Sequence, residues 1–499
     1  MRTKNKFIGC VNSLFRLAVL TLLPILFTLQ LLSINGFQGW GDDWVGYLTQ
    51  AQSIVSRTYP TYSEYNQFAI ENTDGVLGPI AYPWGYPAVQ SVVIHFFGES
   101  IILLQAINLF FFWITLLVLF YGLRSFNSRF HRLLLIALIS ASPVFIADGI
   151  PNLLSDVFFL LLSTISLLLI CYLDFNESSK DKFWTGIAFS IFASFACLTR
   201  TNGFLLLLVL LLSQYNSLVK TKKSAFLNFI HQCWPFALSI FFVFLGRFIF
   251  PAKESHYSYI SSISIKSILS NAYHYFFSLD GLLGDSFAPV RGFVLIASVI
   301  LFAYPLLVRK VDRFFAFYLY VLSTFFLYVI WPPYQGIRFL YPIIPFYLSI
   351  VFYGYTLMCS HHRIFSKPYF SMLGPILIGF SLVQAVSSDL DRFLNRPPSR
   401  ASEAINTPFS EQFLDLTYKL KEQLDSDAEV IFFKPRLLKY YSGLNSLRTT
   451  DLAKFTTGRY FLYYKKAPFF EQASIDAVLM NVELKTIKKT EDFQLYLIR

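Results

Sequence analysis

The feature that most constrains this chain is a series of apolar runs of membrane-spanning length, separated by short polar segments. A helix needs ~20 mostly apolar residues to cross a ~30 Å hydrocarbon core. The 499 residues are 55% hydrophobic and 14% charged, whereas a soluble domain is about 25% charged. We therefore predict an α-helical polytopic membrane protein with about eleven spans. The spans are expected near 14–34, 100–122, 133–148, 157–173, 183–198, 203–219, 226–250, 292–308, 314–331, 339–358 and 369–387.

The basic residues set the expected orientation of these spans. Lysine and arginine concentrate in every second connection, for example at 2–6, 124–132, 220–223 and 309–313. The positive-inside rule then places the N-terminus in the cytoplasm and, for an odd number of spans, the C-terminus outside. The net charge of +11 follows this topology, so no nucleic-acid surface is expected. Chemistry is expected outside, where two long loops (40–99 and 251–291) lie.

The composition changes near residue 390 and divides the chain. Residues 1–390 are predicted to form the membrane part, and residues 391–499 a small exoplasmic α/β domain. Apolar residues recur at helical spacing from Phe409 to Leu424, which indicates an amphipathic helix. Strands are predicted at EVIFF (429–433), RYFLYY (459–464) and FQLYLI (493–498), with a short helix at PRLLKYYSG.

Two adjacent carboxylates, Asp42 and Asp43, stand where the chain leaves the first span, in the stretch GDDWVGY. Trp44, Tyr47 and Ala51 follow at helical spacing, which predicts an interfacial amphipathic helix. Acidic residues at a helix start commonly act as caps. A carboxylate at the membrane surface also suits a general base, and the two interpretations are compatible because one aspartate can cap while its neighbour faces a substrate.

Three further charged residues occur where a span meets the outer surface. Asp156 in NLLSD is a second candidate acid or a helix cap. Arg200 in LTRTNG and Arg338 in QGIRFLYP have two interpretations. Each can extend to lipid headgroups, or grip a phosphate by two parallel hydrogen bonds.

The loop GVLGPIAYPWGYP (75–87) combines rigid turns with three aromatic rings. Tyr82, Trp84 and Tyr86 are predicted to form a stacking surface for a sugar. The alternative is a tight interfacial loop without a ligand.

The order of these motifs resembles that of the GT-C superfamily of polytopic glycosyltransferases. This group includes the dolichyl-phosphate-mannose protein mannosyltransferases and the lipid A aminoarabinose transferases. The resemblance rests on D-D-x-x-x-Y after the first span, then YPWGYP, P-x-LLSD, LTRTNG and QGIRFLYPIIP. It covers about residues 10–390, and such proteins commonly carry a small exoplasmic domain after the membrane part.

The resemblance implies roles for individual residues. The catalytic acid of the first loop matches Asp43, with Tyr47 at the expected spacing and Asp42 as the alternative. Asp156 resembles the second acid. Arg200 and Arg338 resemble residues that approach the lipid phosphate.

The implied reaction is transfer of a sugar, with inversion, from a polyprenyl-phosphate donor to an extracytoplasmic lipid, glycan or protein. Aminoarabinose transferases carry a Lys-Pro-Pro signature where this chain has PWGYP (83–87), which argues against an aminoarabinose donor. A divalent metal is a possible cofactor by the same resemblance. The candidate ligands, none with typical spacing, are Glu64, Glu71, Asp74, His256 and His274.

Three other functions can be weighed against these patterns. A transporter or flippase predicts ionisable residues near the midplane of several spans and internal pseudo-symmetry, and the sequence has neither pattern. A polysaccharide ligase of the cell envelope shares the exoplasmic arginines but requires a diphosphate-linked donor. A scaffold protein leaves the two carboxylate positions unexplained.

Overall fold

The computed structural model describes residues 23–74, 77–175, 179–221, 232–250, 263–279, 288–331, 334–362, 406–468 and 471–499, with isolated positions between 379 and 404. Up to residue 362, regular structure in these ranges is helical. Its α-helices are α1 (Leu23–Ser33), α2 (Asp43–Val55), α3 (Tyr62–Asn72), α4 (Gly85–Phe97), α5 (Ile101–Gly122), α6 (Arg129–Ser140), α7 (Asp156–Phe175), α8 (Ser179–Thr199), α9 (Phe204–Thr221), α10 (Trp234–Ile249), α11 (Ile265–Ser278), α12 (Ala288–Leu307), α13 (Phe315–Ile330) and α14 (Ile344–His361).

Five of the described helical segments are long and apolar enough to cross a membrane. They are Ile101–Ser125, Asp156–Asp174, Lys180–Thr199, Thr201–Val219 and Asp312–Ile330. Leu23–Ser33, Trp234–Ile249 and Gly292–Leu307 are shorter apolar helices. The prediction of a mostly helical chain with many apolar helices is therefore confirmed. The span expected at 369–387, most of which is not described, stays a prediction.

The segment expected to span at 133–148 is interrupted. Helix α6 ends at Ser140, and a π-helical turn, Val144–Gly149, follows Pro143. Pro143 has no backbone N–H and its ring clashes with the preceding turn, which disfavours continuation of α6 as a regular α-helix. The second half of this predicted span is thus a separate, wider turn.

The segment 40–99, expected to be a long loop, contains three helices (α2, α3 and α4). The predicted helix after Asp42 is confirmed as α2, but nine of its 13 residues are buried. It is therefore a packed helix and not an interfacial one. The Asp42 side chain makes no capping hydrogen bond, because its backbone is helical (φ −74°, ψ −21°) where a capping residue is normally extended.

The C-terminal unit is a mixed sheet of five described strands with helices on both faces. The elements are α15 (Glu411–Gln423), β1 (Glu429–Ile431), α16 (Pro435–Ser442), β2 (Asn445–Leu447), β3 (Tyr460–Tyr464), α17 (Ile475–Asn481), β4 (Leu484–Lys489) and β5 (Phe493–Ile498). The strand order is β2-β1-β3-β5-β4, in which β1 is parallel to β2 and β3 while β5 is antiparallel to β3 and β4. Phe413 packs on one face and Val478 on the other.

This unit docks on the segment 40–99 of the membrane part. Leu437 of α16 belongs to one buried cluster with Trp44 and Leu48 of α2. Beside it, the Asp74 N–H donates to the Arg448 carbonyl oxygen at 2.9 Å, and Lys454 Nζ donates to Asp74 Oδ1 at 2.5 Å. The contact brings α16 next to the helix that begins at Asp43.

Candidate active site

The carboxylate of Asp43 is held by two donors from distant parts of the chain. Its Oδ1 accepts a hydrogen bond from the Tyr82 hydroxyl at 2.6 Å, and its Oδ2 accepts one from Arg338 Nη2 at 3.2 Å. The Asp43 side chain is 39% exposed and that of Arg338 is 30% exposed. Asp43 is the first residue of α2, so its carboxylate also lies at the positive end of a helix. It is anchored but accessible.

Gly336 sets the direction of the turn that presents Arg338. Its backbone has φ +83°, a conformation that residues with a Cβ rarely adopt. The turn leads into a 3₁₀ segment, Ile337–Leu340, which carries Arg338 on its first turn.

The Tyr82 hydroxyl links Asp43 to the C-terminal unit. It accepts a hydrogen bond from Arg436 Nη1 at 3.0 Å while donating its own proton to Asp43. Arg436 Nη2 donates to the Pro79 carbonyl oxygen at 2.6 Å, and the residue is 1% exposed. A buried guanidinium is stable only when charges and acceptors surround it. Because Arg436 donates to both Pro79 and Tyr82, it holds the chain between these two residues in place.

Gly46 allows the aromatic packing that orients Tyr82. A Cβ at this position would lie 2.5 Å from Tyr82 Cε2, too close for any other residue without displacement of the ring. Tyr82 instead stacks on Tyr47, with ring centroids 4.3 Å apart. The Tyr47 hydroxyl bonds to Ser155 Oγ at 2.9 Å, next to Asp156.

Asp156 and Arg200 form a second, more buried ion pair. Their side chains are 6% and 15% exposed, and Asp156 is the first residue of α7. The guanidinium groups of Arg200 and Arg338 both lie over the ring of Phe339, at 4.5 and 5.2 Å from its centroid. Arg338 also interacts electrostatically with both Asp43 and Asp156. The two predicted acids and the two predicted arginines therefore converge.

The two adjacent aspartates differ in their pKa values. Burial raises the pKa of Asp42 to about 6, although Lys434 and Arg436 act in the opposite direction. Burial also acts to raise the pKa of Asp43, but the charge of Arg338, the Tyr82 hydrogen bond and the charge of Arg436 lower it below its ordinary value. The raised pKa that we expect for a desolvated base therefore belongs to Asp42, while Asp43 is held ionised.

Trp84 and Tyr86 lie away from this cluster of charges. Trp84 is 4% exposed and stacks on Phe250 with ring centroids 5.4 Å apart. Tyr86 is fully buried and donates a hydrogen bond to Asn108 Oδ1 at 2.9 Å. Neither ring offers a free face to a sugar, because both pack inside the protein. Of the three predicted stacking rings, Tyr82 alone touches the acid.

The described residues do not fit a divalent metal. Within them, no three His, Cys, Asp or Glu side chains are grouped as ligands. Asp43 and Asp156 are each already paired with an arginine. Of the other candidates, Asp74 pairs with Lys454 and Glu71 accepts a hydrogen bond from Gln67. The ring of His274 lies 5.2 Å from that of Tyr334 in a tilted arrangement, and Glu64 lies in the first turn of α3. His256 is outside the described residues.

Sequence reasoning missed Arg436, Phe339 and Ser155. Arg436 lies in a short helix of the C-terminal unit, and no local pattern connects it with Tyr82. Phe339 directly follows Arg338 in the chain. Its ring lies under both guanidinium groups only because folding brings Arg200 to the same place. The signal for each is tertiary and not local.

The arrangement can accept a proton beside a site for an anion. An ionised carboxylate (Asp43) stands next to a guanidinium (Arg338) that has further N–H donors to offer. A second arginine lies across the same ring. Such a constellation suits a reaction in which a hydroxyl loses its proton and an anionic group departs.

No protein-family model and no curated protein sequence matches the chain. Solved structures do match its fold. The chain is similar to ArnT from Cupriavidus metallidurans bound to undecaprenyl phosphate, with a TM-score of 0.59 and 10% identity over 96% of this chain and 97% of that one. It is also similar to the Archaeoglobus fulgidus oligosaccharyltransferase in the apo form (TM-score 0.54, 11% identity, 89% of this chain and 69% of that one).

A third similar structure is AglB from Archaeoglobus fulgidus in complex with an inhibitory peptide and a dolichol-phosphate. Its TM-score is 0.54 at 11% identity, over 85% of this chain and 64% of that one. ArnT and AglB are both members of the GT-C superfamily. The chain therefore has the fold of the GT-C membrane glycosyltransferases.

Proposed function

We propose that this protein is an inverting glycosyltransferase that moves a sugar from a polyprenyl-phosphate donor to an extracytoplasmic lipid, glycan or protein. The observation that carries the proposal is the contact between Asp43 and Arg338, beside the ion pair of Asp156 and Arg200. The fold supports it, since similar structures were solved with undecaprenyl phosphate and with a dolichol-phosphate.

Arg338 and Arg200 are the proposed phosphate ligands. Each guanidinium carries five N–H donors, and the ion pair with an aspartate leaves several of them for phosphate oxygens. Their common position over Phe339 places two positive charges near one point. These charges stabilise the negative charge that develops on the departing phosphate.

Asp43 is the proposed base. The acceptor hydroxyl oxygen attacks the anomeric carbon of the sugar, and its proton passes to the Asp43 carboxylate. The bond between that carbon and the phosphate oxygen breaks on the opposite face, so polyprenyl phosphate leaves and the configuration inverts. The lowered pKa of Asp43 keeps its carboxylate ionised at neutral pH, which is the form that accepts a proton. Asp156 acts as an accessory acid that orients Arg200.

The proposed topology has about eleven spans in the cell membrane, a cytoplasmic N-terminus and the site on the extracytoplasmic face. Residues 1–390 form the catalytic membrane domain and residues 391–499 a domain on the same side as the site. The contact between Arg436 and Tyr82 supports this arrangement, because it requires the C-terminal unit to share the side of Asp43. A lipid-linked donor suits such a site, since nucleotide sugars are cytoplasmic.

A transporter or flippase is less well supported by the positions of the charged residues. Asp156 begins α7, Arg200 follows α8, and Arg338 precedes α14. These charges lie at helix ends, whereas a translocation pathway places ionisable residues near the midplane of several spans.

The test is sugar transfer in membranes that contain the protein, with undecaprenyl-phosphate-linked hexoses and pentoses as radiolabelled donors. We expect Asp43→Asn to lower transfer by ~10²–10⁴-fold, since the amide keeps the shape and removes the base. Asp415→Asn is the matched control, because Asp415 forms ion pairs on an exposed face of the C-terminal unit. A folded Asp43→Asn protein with normal transfer contradicts the mechanism. Loss in Asp42→Asn alone moves the base to Asp42.

Failure of the wild-type protein to consume any of these donors contradicts the function itself. Consumption of a diphosphate-linked oligosaccharide in their place supports the polysaccharide ligase.

A further inference from the structure

The helix α11 (Ile265–Ser278) lies next to the chain that leads from α13 to Arg338. It packs against α13, and its buried residues are Asn271 and Tyr275, at 4% and 0% exposure. They are four residues apart, so both side chains project from the same face of the helix. The face of α11 that packs on the protein therefore carries an amide and a hydroxyl group, which need hydrogen-bond partners when they are buried.

The opposite face of α11 is apolar and exposed. Ile265, Leu269 and Tyr273 are 78%, 66% and 62% exposed. A helix on the surface of a soluble protein buries its apolar side chains and exposes its polar ones. The reversed arrangement fits a helix that borders lipid, where polar side chains turn toward the protein interior. The hydrogen bonds of Asn271 and Tyr275 therefore contribute to holding α11 against the protein.

Asn271 fixes the chain at the end of α13. Its Nδ2 donates a hydrogen bond to the Trp331 carbonyl oxygen at 2.7 Å. Trp331 directly follows Ile330, the last residue of α13, and carbonyl groups at the end of a helix have no partner within it. The Asn271 amide therefore satisfies an acceptor that the helix leaves open, and it fixes the direction in which the chain leaves α13.

Tyr275 holds the same chain four residues later. Its hydroxyl oxygen accepts a hydrogen bond from the Gln335 N–H at 3.1 Å, and its ring centroid lies 4.9 Å from that of Tyr334. Gln335 directly precedes Gly336, whose positive φ begins the turn that carries Arg338. Tyr275 also interacts electrostatically with Arg338. One face of α11 thus holds both the start of this connection and the last residue before the turn.

We propose that Asn271 and Tyr275 are positioning residues for Arg338, the arginine assigned to the donor phosphate. The inference rests on the proposed function, because that assignment belongs to it. Hydrogen bonds at Trp331 and Gln335 fix the chain before the ligand arrives, so phosphate binding does not have to order the turn. Neither positioning residue takes part in the transfer step, because both act through the backbone that carries Arg338.

The experiment uses the full-length protein in lipid nanodiscs and has two readouts. These are the Kd of undecaprenyl phosphate and the hydrogen–deuterium exchange of the peptide that covers residues 335–340. Tyr275→Phe removes the hydroxyl and keeps the ring. We expect it to raise the Kd about fivefold to tenfold, as loss of one neutral hydrogen bond does, and to speed exchange of this peptide by about the same factor. We expect Asn271→Ala to change both readouts in the same direction.

Tyr318→Phe is the matched control. Tyr318 lies in the first turn of α13, at the end remote from Trp331, and is 4% exposed. Its hydroxyl donates to the Phe302 carbonyl oxygen at 2.6 Å, so this variant also loses one hydrogen bond of a buried tyrosine. We expect it to leave the Kd and the exchange of residues 335–340 as in the wild type. A general loss of stability lowers the amount of folded protein but not the affinity of the folded fraction, which separates positioning from stability.

Both readouts must change in Tyr275→Phe. An unchanged Kd or an unchanged exchange rate overturns the inference, and so does an equal change in Tyr318→Phe. A wild-type protein that does not bind undecaprenyl phosphate contradicts the proposed function instead. Exchange alone, which needs no ligand, then decides whether α11 holds the turn.

Discussion

Arg436 donates a hydrogen bond to the hydroxyl of Tyr82 at 3.0 Å, although 354 residues separate the two in the chain. The same hydroxyl donates to Asp43. The proposed base of the membrane part is therefore positioned in part by an arginine of the C-terminal unit. This relationship places a side chain of that unit next to the proposed active site.

We expect Arg436→Gln to reduce kcat by at least about tenfold, because Tyr82 loses the donor that orients it toward Asp43. Arg436 also lowers the pKa of Asp43, so its removal raises that pKa. The base then becomes protonated at a higher pH, and the acid limb of the pH–kcat profile moves upward.

The matched control is Arg459→Gln, since Arg459 pairs with Glu429 at 2.6 Å within the same unit. A lower kcat with an unmoved acid limb would show that Arg436 only stabilises the fold.

The pair of Asp156 and Arg200 allows a separation of stability from catalysis. Arg200→Ala leaves a carboxylate of 6% exposure without its partner, which costs about 3–5 kcal/mol in comparable buried pairs. We expect this single variant to unfold at a lower temperature. The double variant Asp156→Asn/Arg200→Gln removes both charges, so we expect it to recover most of the thermal stability but not the transfer activity. Thermal unfolding and a donor-transfer assay check the two quantities. Recovery of both stability and transfer activity in the double variant would make the pair purely structural.

Asp42 makes the folded protein sensitive to pH. Its pKa is raised from 3.8 to about 6 by burial, so the folded state favours the protonated carboxyl. The resulting stability is fully present below the unfolded pKa and is lost as the pH rises through about 6. At neutral pH the ionised Asp42 therefore costs up to roughly 3 kcal/mol, and Asp42→Asn removes this cost.

Thermal unfolding of Asp42→Asn in detergent checks this expectation. We expect a higher Tm than that of the wild type at about pH 7.5, and a gain less than half as large at about pH 4.5. The exposed control Asp415→Asn should show no gain. A constant gain at both pH values would assign the effect to packing.

Gly46→Ala tests the stacking of Tyr82 on Tyr47. Within an exposed helix this change normally stabilises by up to about 1 kcal/mol. Here the new Cβ would lie 2.5 Å from Tyr82 Cε2, so the ring must move and its bond to Asp43 is lost. We expect transfer to fall by about tenfold or more, as for loss of a hydrogen bond to a charged group. Gly39→Ala is the control, because nothing lies within 4 Å of a Cβ at that position. Equal activities would contradict the positioning role of Tyr82.

The helical periodicity after Asp43 predicted α2 correctly, because side-chain pattern reflects which face is buried, whereas the apolar run at 133–148 is interrupted after Ser140. The strands β2 and β4 and the helix α17 escaped prediction. β4 (Leu484–Lys489) carries three lysines on an edge strand, so its composition hides its structure. Trp84 and Tyr86 were predicted to stack on a sugar, yet both are buried, because an aromatic ring in a turn packs inward as readily as it faces a ligand.

The sequence by itself determined that the chain is a helical membrane protein with acids and arginines at helix ends and an α/β unit after them. These properties depend on local composition and on the apolar length that a bilayer requires. Tertiary structure decided which charges meet: Arg338 with Asp43, Arg200 with Asp156, and Arg436 with Tyr82. It also decided that Asp42 has the raised pKa, since desolvation and neighbouring charges depend on residues that folding brings from hundreds of positions away.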